Sequence, residues 1–285
     1  MKKTPPKTPL PSQSPQPGPS DGSRLTGDLN RDLVVIREKT FNTSDLITRP
    51  ITVCGIRLCL VMIEGMVDLN KLDEALIRPL LSRQFPDADA VFNWVEQTAV
   101  VGDVKDIYEY DQLISLVMTG FMAVLVEGVA KSVVMGVQGY PYRSISEPTA
   151  EFDEKGSRES FTEPIKINLT MIRRRMRSGG VKFEMFEVGT VSRTSACLVY
   201  DPGAVSPELL GEVRKRLGRI RMETVLDVGY LQPYLEGKPL SLFSEVGTTE
   251  RPDTVCAKVQ EGRVAVLLDG TPYALIVPYL FAENF

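Results

Sequence analysis

The sequence predicts an α/β (α+β) protein with two mixed α/β subdomains joined by a linker, the second ending in an antiparallel β meander. Two observations carry this prediction. Helical and β-rich apolar runs alternate up to about residue 140, and a stretch containing two prolines at 139–156 then interrupts the pattern before it resumes. The predicted divisions are a tail at 1–24, a first subdomain at 25–140, a linker and signature loop at 141–160, and a second subdomain at 161–285.

Composition and charge restrict the class of protein. The chain of 285 residues is 43% apolar and 25% charged, which is typical of a soluble globular protein. Its net charge of −4 argues against nucleic-acid or anionic-membrane binding. The longest uncharged stretch, Gln112–Val126, is shorter than the about 20 residues that a helical span needs, so we expect this chain not to cross a membrane.

The chain contains no histidine, which excludes imidazole bases, Ser–His and Cys–His nucleophiles, and histidine metal sites. The four cysteines have no C-x-x-C spacing and lie in apolar, strand-like contexts, so we predict buried, reduced thiols. They are Cys54, Cys59, Cys197 and Cys256. Acid pairs such as Asp153/Glu154 and Glu159/Glu163 are interpreted as solvated side chains, because no nucleophile or ligand pattern accompanies them. We therefore predict no enzyme, no metal and no cofactor.

Residues 1–22 are rich in proline with Ser, Gln, Gly and Thr, and predict a disordered or polyproline-like tail. A PxxP ligand for a partner is the alternative interpretation. In the first subdomain, apolar spacing and β-branched runs separate helices from strands. The predicted helices are Asp28–Lys39, Asp68 or Asn70 to Phe85, Asp87–Gln97 and Tyr110–Met118. The predicted strands are Thr52–Ile63 with a possible turn at Cys54-Gly55, Val100–Ile107, and a hairpin of Phe121–Glu127 with Lys131–Val137.

The second subdomain is predicted to open with an amphipathic helix that ends near Gly179-Gly180. Its apolar stripe is Ile165, Leu169, Ile172 and Met176. Two starts compete: Ser160 with Glu163 fits a capping box, and Thr162 followed by Pro164 fits a later cap. The elements predicted next are strands Lys182–Val188 and Arg193–Tyr200, a helix Ser206–Leu217, and a short strand or helix within Met222–Tyr234.

The C-terminal region is predicted to form a three-stranded meander. Its acid–Gly pairs, Glu261-Gly262 and Asp269-Gly270, are typical of tight turns between β-rich runs. The three predicted strands are Thr254–Gln260, Arg263–Leu268 and Tyr273–Val277.

A cluster of arginines closes the amphipathic helix: Arg173, Arg174, Arg175 and Arg177. Such a cluster can bind phosphate or RNA, but the predicted domain is acidic and no aromatic residue follows before Phe183. Acidic residues stand just upstream. We therefore predict a salt-bridge network, within the chain or at a subunit contact, rather than a nucleic-acid surface.

Residues 156–176, here called the signature segment, resemble the signature of the GerA family of spore germination receptor A subunits, G-P-R-E-G-F-T-E followed by a helix ending L-I-R-R-R. The matching residues are Gly156, Arg158, Glu159, Phe161, Thr162, Glu163, Asn168, Ile172, Arg173, Arg174 and Arg175. Ser157 and Ser160 replace the usual proline and second glycine. Three further segments resemble the family in the same order: Thr43–Leu46, Thr249–Asp253 and Glu261–Pro272.

The resemblance implies a non-enzymatic subunit that acts with B and C subunits in the spore inner membrane, senses nutrients and triggers ion release. It implies that this region lies on the cytosolic (core) side and that a multi-helix membrane domain follows Phe285. It also implies self-association of A subunits, with recognition of small nutrients placed largely on the B subunit.

Within this framework, our hypothesis is that the signature segment transmits germinant-induced change between subdomains or subunits. Arg158 and Glu159 would make polar contacts, and Phe161 would anchor the loop. Arg173, Arg174 and Arg175 would pair with acids across the interface, and replacing Arg158 or Glu163 by Ala should impair assembly or germination without unfolding the domain. The main rival is a small-molecule module that binds germinant in the cleft between the subdomains.

Overall fold

Two antiparallel five-stranded sheets organise the chain. The computed structural model describes residues 23–98, 104–139, 157, 159–236 and 245–279. We call residues 23–139 the first half and residues 157–279 the second half. The strands of the first half are β1 Leu46–Val53, β2 Ile56–Ile63, β3 Val104–Ile107, β4 Met122–Val126 and β5 Ser132–Met135. Those of the second half are β6 Lys182–Val188, β7 Thr194–Tyr200, β8 Gly247–Thr249, β9 Val264–Leu268 and β10 Ala274–Val277. The predicted fold class is confirmed.

Helices cover both faces of each sheet, so each half has an apolar cluster on either side of its sheet. The helices of the first half are α1 Leu29–Lys39, α2 Leu69–Leu72, α3 Arg78–Leu81, α4 Ala88–Thr98 and α5 Tyr110–Val117. Those of the second half are α6 Ile165–Arg175, α7 Pro207–Leu217, α8 Gln232–Leu235 and α9 Pro252–Gln260. No helix within the described ranges is both long and apolar enough to cross a membrane.

Several helix starts follow the capping residues in the sequence. Asp28 accepts from the Arg31 amide at 3.0 Å, and Ser206 accepts from the Leu209 amide at 3.1 Å, so both predicted starts are confirmed. Asp68 also caps as predicted, but its helix ends at Leu81 instead of Phe85. A π-helical turn over Asp73–Ile77 joins α2 to α3, because Pro79 has no amide hydrogen to continue the regular pattern.

The prediction that all four cysteines are buried is wrong for Cys54. Cys59, Cys197 and Cys256 lie in the core, and burial raises the pKa of the Cys59 and Cys256 thiols to about 11. Cys54 is exposed because it sits in the two-residue turn between β1 and β2, with φ of 51°, followed by Gly55 with φ of 81°. The turn, rather than the apolar context, fixes its exposure.

We therefore expect one thiol per native chain to react with Ellman's reagent, and all four to react after unfolding in guanidinium. Burial holds the three core thiols neutral and shields them from the reagent, whereas Cys54 is exposed to it. A Cys54→Ser variant should lose the native signal and keep the other three. Rapid native labelling of that variant would contradict the burial of the remaining cysteines.

The predicted meander is correct for its hairpin and wrong for its first strand. Strands β9 and β10 pair antiparallel, with Ala274 opposite Leu267. Residues 254–260 instead lie in helix α9, and it is β8 that pairs with the other edge of β10. Pro252 at the first turn favours a helix, and Val255, Cys256 and Val259 are buried on one face. Packing on the sheet thus overrides the strand preference of the valines.

The two halves share one topology. The strand order is β1-β2-β4-β5-β3 in the first sheet and β6-β7-β9-β10-β8 in the second, which is the same order displaced by five strands. The helices correspond as well: α1 to α6, the α2–α3 helix to α7, α4 to α8, and α5 to α9. The apolar cores correspond in the same way. Helices α1 and α5 share a cluster on one face of the first sheet, and α6 and α9 share a cluster on one face of the second sheet. The fold is an internal duplication.

Three other predictions have separate outcomes. The first strand begins at Leu46, earlier than the predicted Thr52, and residues 222–234 contain a 3₁₀ turn, Val228–Tyr230, and the start of α8. Most of the predicted tail and of the linker at 141–160 lies outside the described residues. The subdomain boundaries therefore stay predictions.

Candidate functional site

Arg173, in the last turn of α6, is the most buried charged side chain among the described residues of the signature segment, with 0% exposure. Its Nε donates to Asp45 Oδ2 at 2.8 Å and its Nη2 to Asp45 Oδ1 at 3.0 Å, a bidentate pair that joins the two halves. Its Nη1 donates to the carbonyls of Ser178 and Val181, each at 3.1 Å. The guanidinium also lies 4.2 Å from the centre of the Phe183 ring. Every donor nitrogen is thus used, as a buried guanidinium requires.

The partner segment Thr43–Asp45 comes from the loop between α1 and β1 in the first half. Thr43 Oγ1 donates to Asp45 Oδ1 at 2.6 Å and accepts from the Phe183 amide at 3.0 Å. The Ser44 amide donates to the Phe183 carbonyl at 2.9 Å. The segment therefore pairs with the outer edge of β6 while its carboxylate receives Arg173. We call Arg173, Thr43, Asp45 and Phe183 the Arg173 junction.

Two further contacts connect the halves beside the Arg173 junction. Lys166 Nζ lies 2.7 Å from Glu64 Oε1, an exposed ion pair of small energetic value. Gly65 has φ of 76°, and a side chain there would clash with Thr170 Oγ1. The close approach of α6 to the end of β2 thus requires glycine at position 65.

The loop before α6 is anchored by Phe161, which is 2% exposed and packs in the cluster of α6, α9 and the second sheet. Its amide donates to the Glu250 carbonyl at 2.8 Å, and Ser160 Oγ donates to the same carbonyl at 3.3 Å. The first half repeats this arrangement: the Leu25 amide donates to the Tyr108 carbonyl at 2.9 Å, directly after β3. Each half therefore attaches its entering segment to the end of an edge strand.

Neither predicted N-cap of α6 is formed, so both capping predictions are wrong. The helix begins at Ile165, after Pro164, and no side chain of the cap residue bonds to it. Asp269, in the β9–β10 turn, accepts from the Ile165 amide at 2.9 Å instead. A carboxylate here also suits the positive end of the helix dipole. The cap is tertiary, which local spacing does not reveal.

Replacing Asp269 by Ala should lower the free energy of unfolding by about 1 kcal/mol, as for other lost helix caps. Urea denaturation of the 285-residue chain measures this difference. Asp201→Ala, in a different turn of the same half, serves as a comparison. An unchanged stability of Asp269→Ala would show that water replaces the cap.

A buried Asn168 closes the loop around Thr162. Asn168 Oδ1 accepts from the Thr162 amide at 2.7 Å, and its Nδ2 donates to the Thr162 carbonyl at 2.5 Å. In the first half, Asp32 accepts from the Thr26 amide at 3.0 Å across the same separation of six residues. Asp32 also accepts from the hydroxyl of Tyr110 at 2.6 Å. The loop at Thr162 thus repeats the loop at Thr26. In each half, the amide of a threonine donates to a side-chain oxygen six residues later, near the start of the first helix.

The outer arginines behave differently from Arg173. Arg175 Nη2 lies 2.6 Å from Glu159 Oε2, and Arg174 Nη2 lies 3.3 Å from Glu159 Oε1. The acid that both arginines contact, Glu159, is in their own segment. Pairing of Arg174 and Arg175 with acids across an interface stays a prediction. Because all three side chains are partly exposed, we expect this cluster to contribute modestly to stability.

The remaining predicted site residues are Glu163 and Arg158. Glu163 is exposed, and its carbonyl accepts from the Gly270 amide at 2.8 Å. Arg158 lies outside the described residues. The structure thus brings together Glu159, Arg174 and Arg175 in one cluster, and places Arg173 in another.

Sequence reasoning missed Asp45, Asn168 and Asp269 as partners of the signature segment. One signal was present: Leu33-Val34-Val35-Ile36-Arg37 and Leu169-Thr170-Met171-Ile172-Arg173 share the pattern L-x-x-I-R. Six residues before the buried acid or amide of each helix stands a threonine. This pattern indicates the duplication. It does not indicate that Arg173, the arginine of the second copy, is buried while Arg37 is exposed.

The fold and the Arg173 junction define a domain of two duplicated α/β units fastened by a buried arginine–aspartate pair. A crystal structure of the N-terminal domain of the A subunit of the Bacillus megaterium spore germinant receptor GerK3 has this fold, with a TM-score of 0.72 and 29% identity. The match covers 91% of this chain and 98% of that one. Residues 34–285 match the family described as Bacillus/Clostridium GerA spore germination protein. The chain belongs to the GerA family.

Full-length relatives agree with this assignment. Spore germination protein KA of Bacillus subtilis is 32% identical over 265 residues, covering 92% of this chain and 49% of that protein. The uncharacterized membrane protein YfkQ of Bacillus subtilis is 30% identical over 259 residues, covering 90% of this chain and 50% of that protein. The chain spans about half the length of the curated relatives it matches. It corresponds to the N-terminal domain of a germinant receptor A subunit.

Proposed function

We propose that this domain acts in the assembly of a nutrient germinant receptor and in the signal transduction that triggers spore germination. The observation that carries the proposal is the Arg173 junction. Arg173 is fully buried in the family's signature segment, yet its carboxylate partner, Asp45, belongs to the other half. A buried, bidentate pair between two bodies allows few intermediate arrangements, so a change on one side is passed to the other.

The proposed setting is a larger A subunit in the spore inner membrane, with this domain on the core side and the B and C subunits as partners. Self-association of A subunits is part of the same proposal. The Glu159–Arg174–Arg175 cluster is a suitable contact surface, because partly exposed charges set partner choice and association rate more than affinity. Glu163, which is exposed, belongs to the same proposed surface.

The test replaces the Arg173 junction by an apolar pair in the full-length receptor in spores of the native host. Arg173→Met with Asp45→Leu removes both buried charges, and such replacements often leave stability unchanged or higher. We expect normal receptor levels on immunoblots and at least a tenfold slower release of dipicolinate after germinant addition. Wild-type germination of the double variant would show that the pair serves folding alone.

Glu163→Ala tests the proposed contact surface separately. Its side chain is exposed, so the fold should be unchanged while germination or co-purification with the B and C subunits decreases. Glu223→Ala, exposed elsewhere in the second half, is the matched control. Equal behaviour of the two variants would count against a contact at Glu163.

A second candidate function is germinant binding in the cleft between the halves. A pocket of about 340 Å³ favours it, since Lys39, Asp111, Ile114 and Ser115 line one side and residues 177–180 line the other. Lys39 Nζ pairs with Asp111 Oδ1 at 2.7 Å. Arg177 also lines the pocket and supplies a second positive charge there. A rise in the melting temperature with added nutrients would support binding, and Lys39→Gln should reduce it if this pocket is used.

A further inference from the structure

The turn between α1 and β1 holds two consecutive residues in the left-handed region of backbone conformation. Phe41 has φ of 53° and Asn42 has φ of 52°. Asparagine tolerates this region, whereas a bulky side chain there is rare and strained. The turn leads directly into Thr43 and Asp45, which belong to the Arg173 junction. The strain therefore lies immediately before the contact that joins the two halves.

Two hydrogen bonds give this turn the form of a Schellman motif. The Phe41 amide donates to the Glu38 carbonyl at 3.0 Å, and the Asn42 amide donates to the Arg37 carbonyl at 2.8 Å. The position of Phe41 in this motif is usually taken by glycine, because glycine has no side chain to oppose a positive φ. The Phe41 ring gains only partial burial, since it stays 43% exposed. Glycine would thus fit this backbone better than phenylalanine does.

The topology that the two halves share does not require this strain. The corresponding turn of the second half follows α6, and none of residues 176–181 has a positive φ. Of the two turns, only the one that presents Asp45 to Arg173 is strained. The strain is therefore linked to the junction and not to the connection of a helix with the first strand of its sheet.

Contacts on both sides hold the strained turn in place. On one side, α1 is fixed in the first-half core, where Ile36 is 0% exposed. On the other side, the Ser44 amide donates to the Phe183 carbonyl at 2.9 Å, and Asp45 receives Arg173. A strained backbone persists only while its surroundings determine it. Parting of the junction removes the second set of contacts, so the turn can relax to negative φ and the open state becomes more favourable.

We propose that the strained turn sets how readily the Arg173 junction opens. Phe41 is a positioning residue in this device, because the strain in its backbone raises the population of the open state relative to the closed one. A glycine at position 41 would relieve the strain and favour the closed junction. The inference rests on the proposed function, in which a change passes between the halves through the junction, and it adds the element that adjusts the opening.

Two variants of the 285-residue chain, Phe41→Gly and Phe41→Ala, isolate the strain. Both remove the ring, but only glycine adopts the positive φ without penalty. Two amides report opening of the junction: that of Ser44, which donates to the Phe183 carbonyl, and that of Phe183, which donates to Thr43 Oγ1. Native-state hydrogen exchange followed by NMR measures both. We expect them to exchange about fivefold more slowly in Phe41→Gly than in Phe41→Ala.

Cys54 supplies a matched control, because its φ of 51° carries the same kind of strain in the turn at the other end of β1. Cys54→Gly and Cys54→Ala differ in that strain as the two Phe41 variants do. Since this turn is remote from the junction along β1, the amides of Ser44 and Phe183 should exchange equally in the two Cys54 variants.

Two outcomes would overturn the inference. Equal exchange of both amides in Phe41→Gly and Phe41→Ala would show that the junction opens without relaxation of the turn. A difference between the Cys54 variants as large as that between the Phe41 variants would show that these amides exchange only when the whole chain unfolds. Neither outcome decides the proposed function, which the spore assay of Arg173→Met with Asp45→Leu tests separately.

Discussion

Replacing Arg173 by Ala is expected to lower the free energy of unfolding by about 3–5 kcal/mol, because Asp45 is then left buried without its cation. Asp45 is only 5% exposed, and its other side-chain partner, Thr43, donates a single hydrogen bond. Urea denaturation, followed by fluorescence of the single tryptophan and by circular dichroism, measures the change. The tryptophan lies in α4 of the first half, so its fluorescence reports unfolding of that half, while circular dichroism reports both halves. Different urea midpoints for the two signals would show that the halves no longer unfold together.

The duplication supplies a matched control. Arg37 occupies the position of Arg173 in α1, but it is exposed and its Nη2 donates to Thr48 Oγ1 at 2.6 Å. Arg37→Ala should therefore change stability by about 0.5 kcal/mol or less. Arg173→Lys should recover little, because an ammonium cannot reproduce the bidentate geometry. Equal effects of the two alanine variants would contradict a special role for the buried arginine.

Replacing Phe161 by Ala is expected to destabilise the chain by about 3–5 kcal/mol, the usual range for a buried phenylalanine. The ring fills the cluster between α6 and α9, and its loss leaves a cavity beside Ile165 and Ile172. Since the Phe161 amide holds the signature loop to Glu250, we also expect faster proteolysis before α6. Equilibrium denaturation and limited trypsin digestion measure the two effects.

Phe161→Leu is the informative companion, because Leu25 occupies the same place in the first half and is 4% exposed there. A leucine retains most of the buried apolar surface, so the loss should fall to about 1–1.5 kcal/mol. If Phe161→Leu were as damaging as Phe161→Ala, the aromatic ring itself would be required, and the two halves would not be equivalent at this position.

Local chemistry in the sequence was sufficient for many elements. Asp28 and Ser206 cap helices where predicted, and the Glu127-Gly128 and Asp269-Gly270 turns join strands β4 to β5 and β9 to β10. In these places, the signal lies within a few residues of the element. The sequence predicts a strand in place of helix α9 because the valines there favour β structure, whereas burial against α6 decides the conformation.

The family and the arginine helix follow from the sequence by itself, because a contiguous motif and an apolar period of 3.6 residues are local properties. Whether an arginine is exposed at the surface or forms a buried salt bridge was decided only by the tertiary structure. Arg173 and Arg37 stand in the same L-x-x-I-R pattern, yet only Arg173 meets an aspartate, 128 residues away in the chain. The free energy of a buried charge depends on the partner that the fold brings to it, and that partner is not encoded nearby.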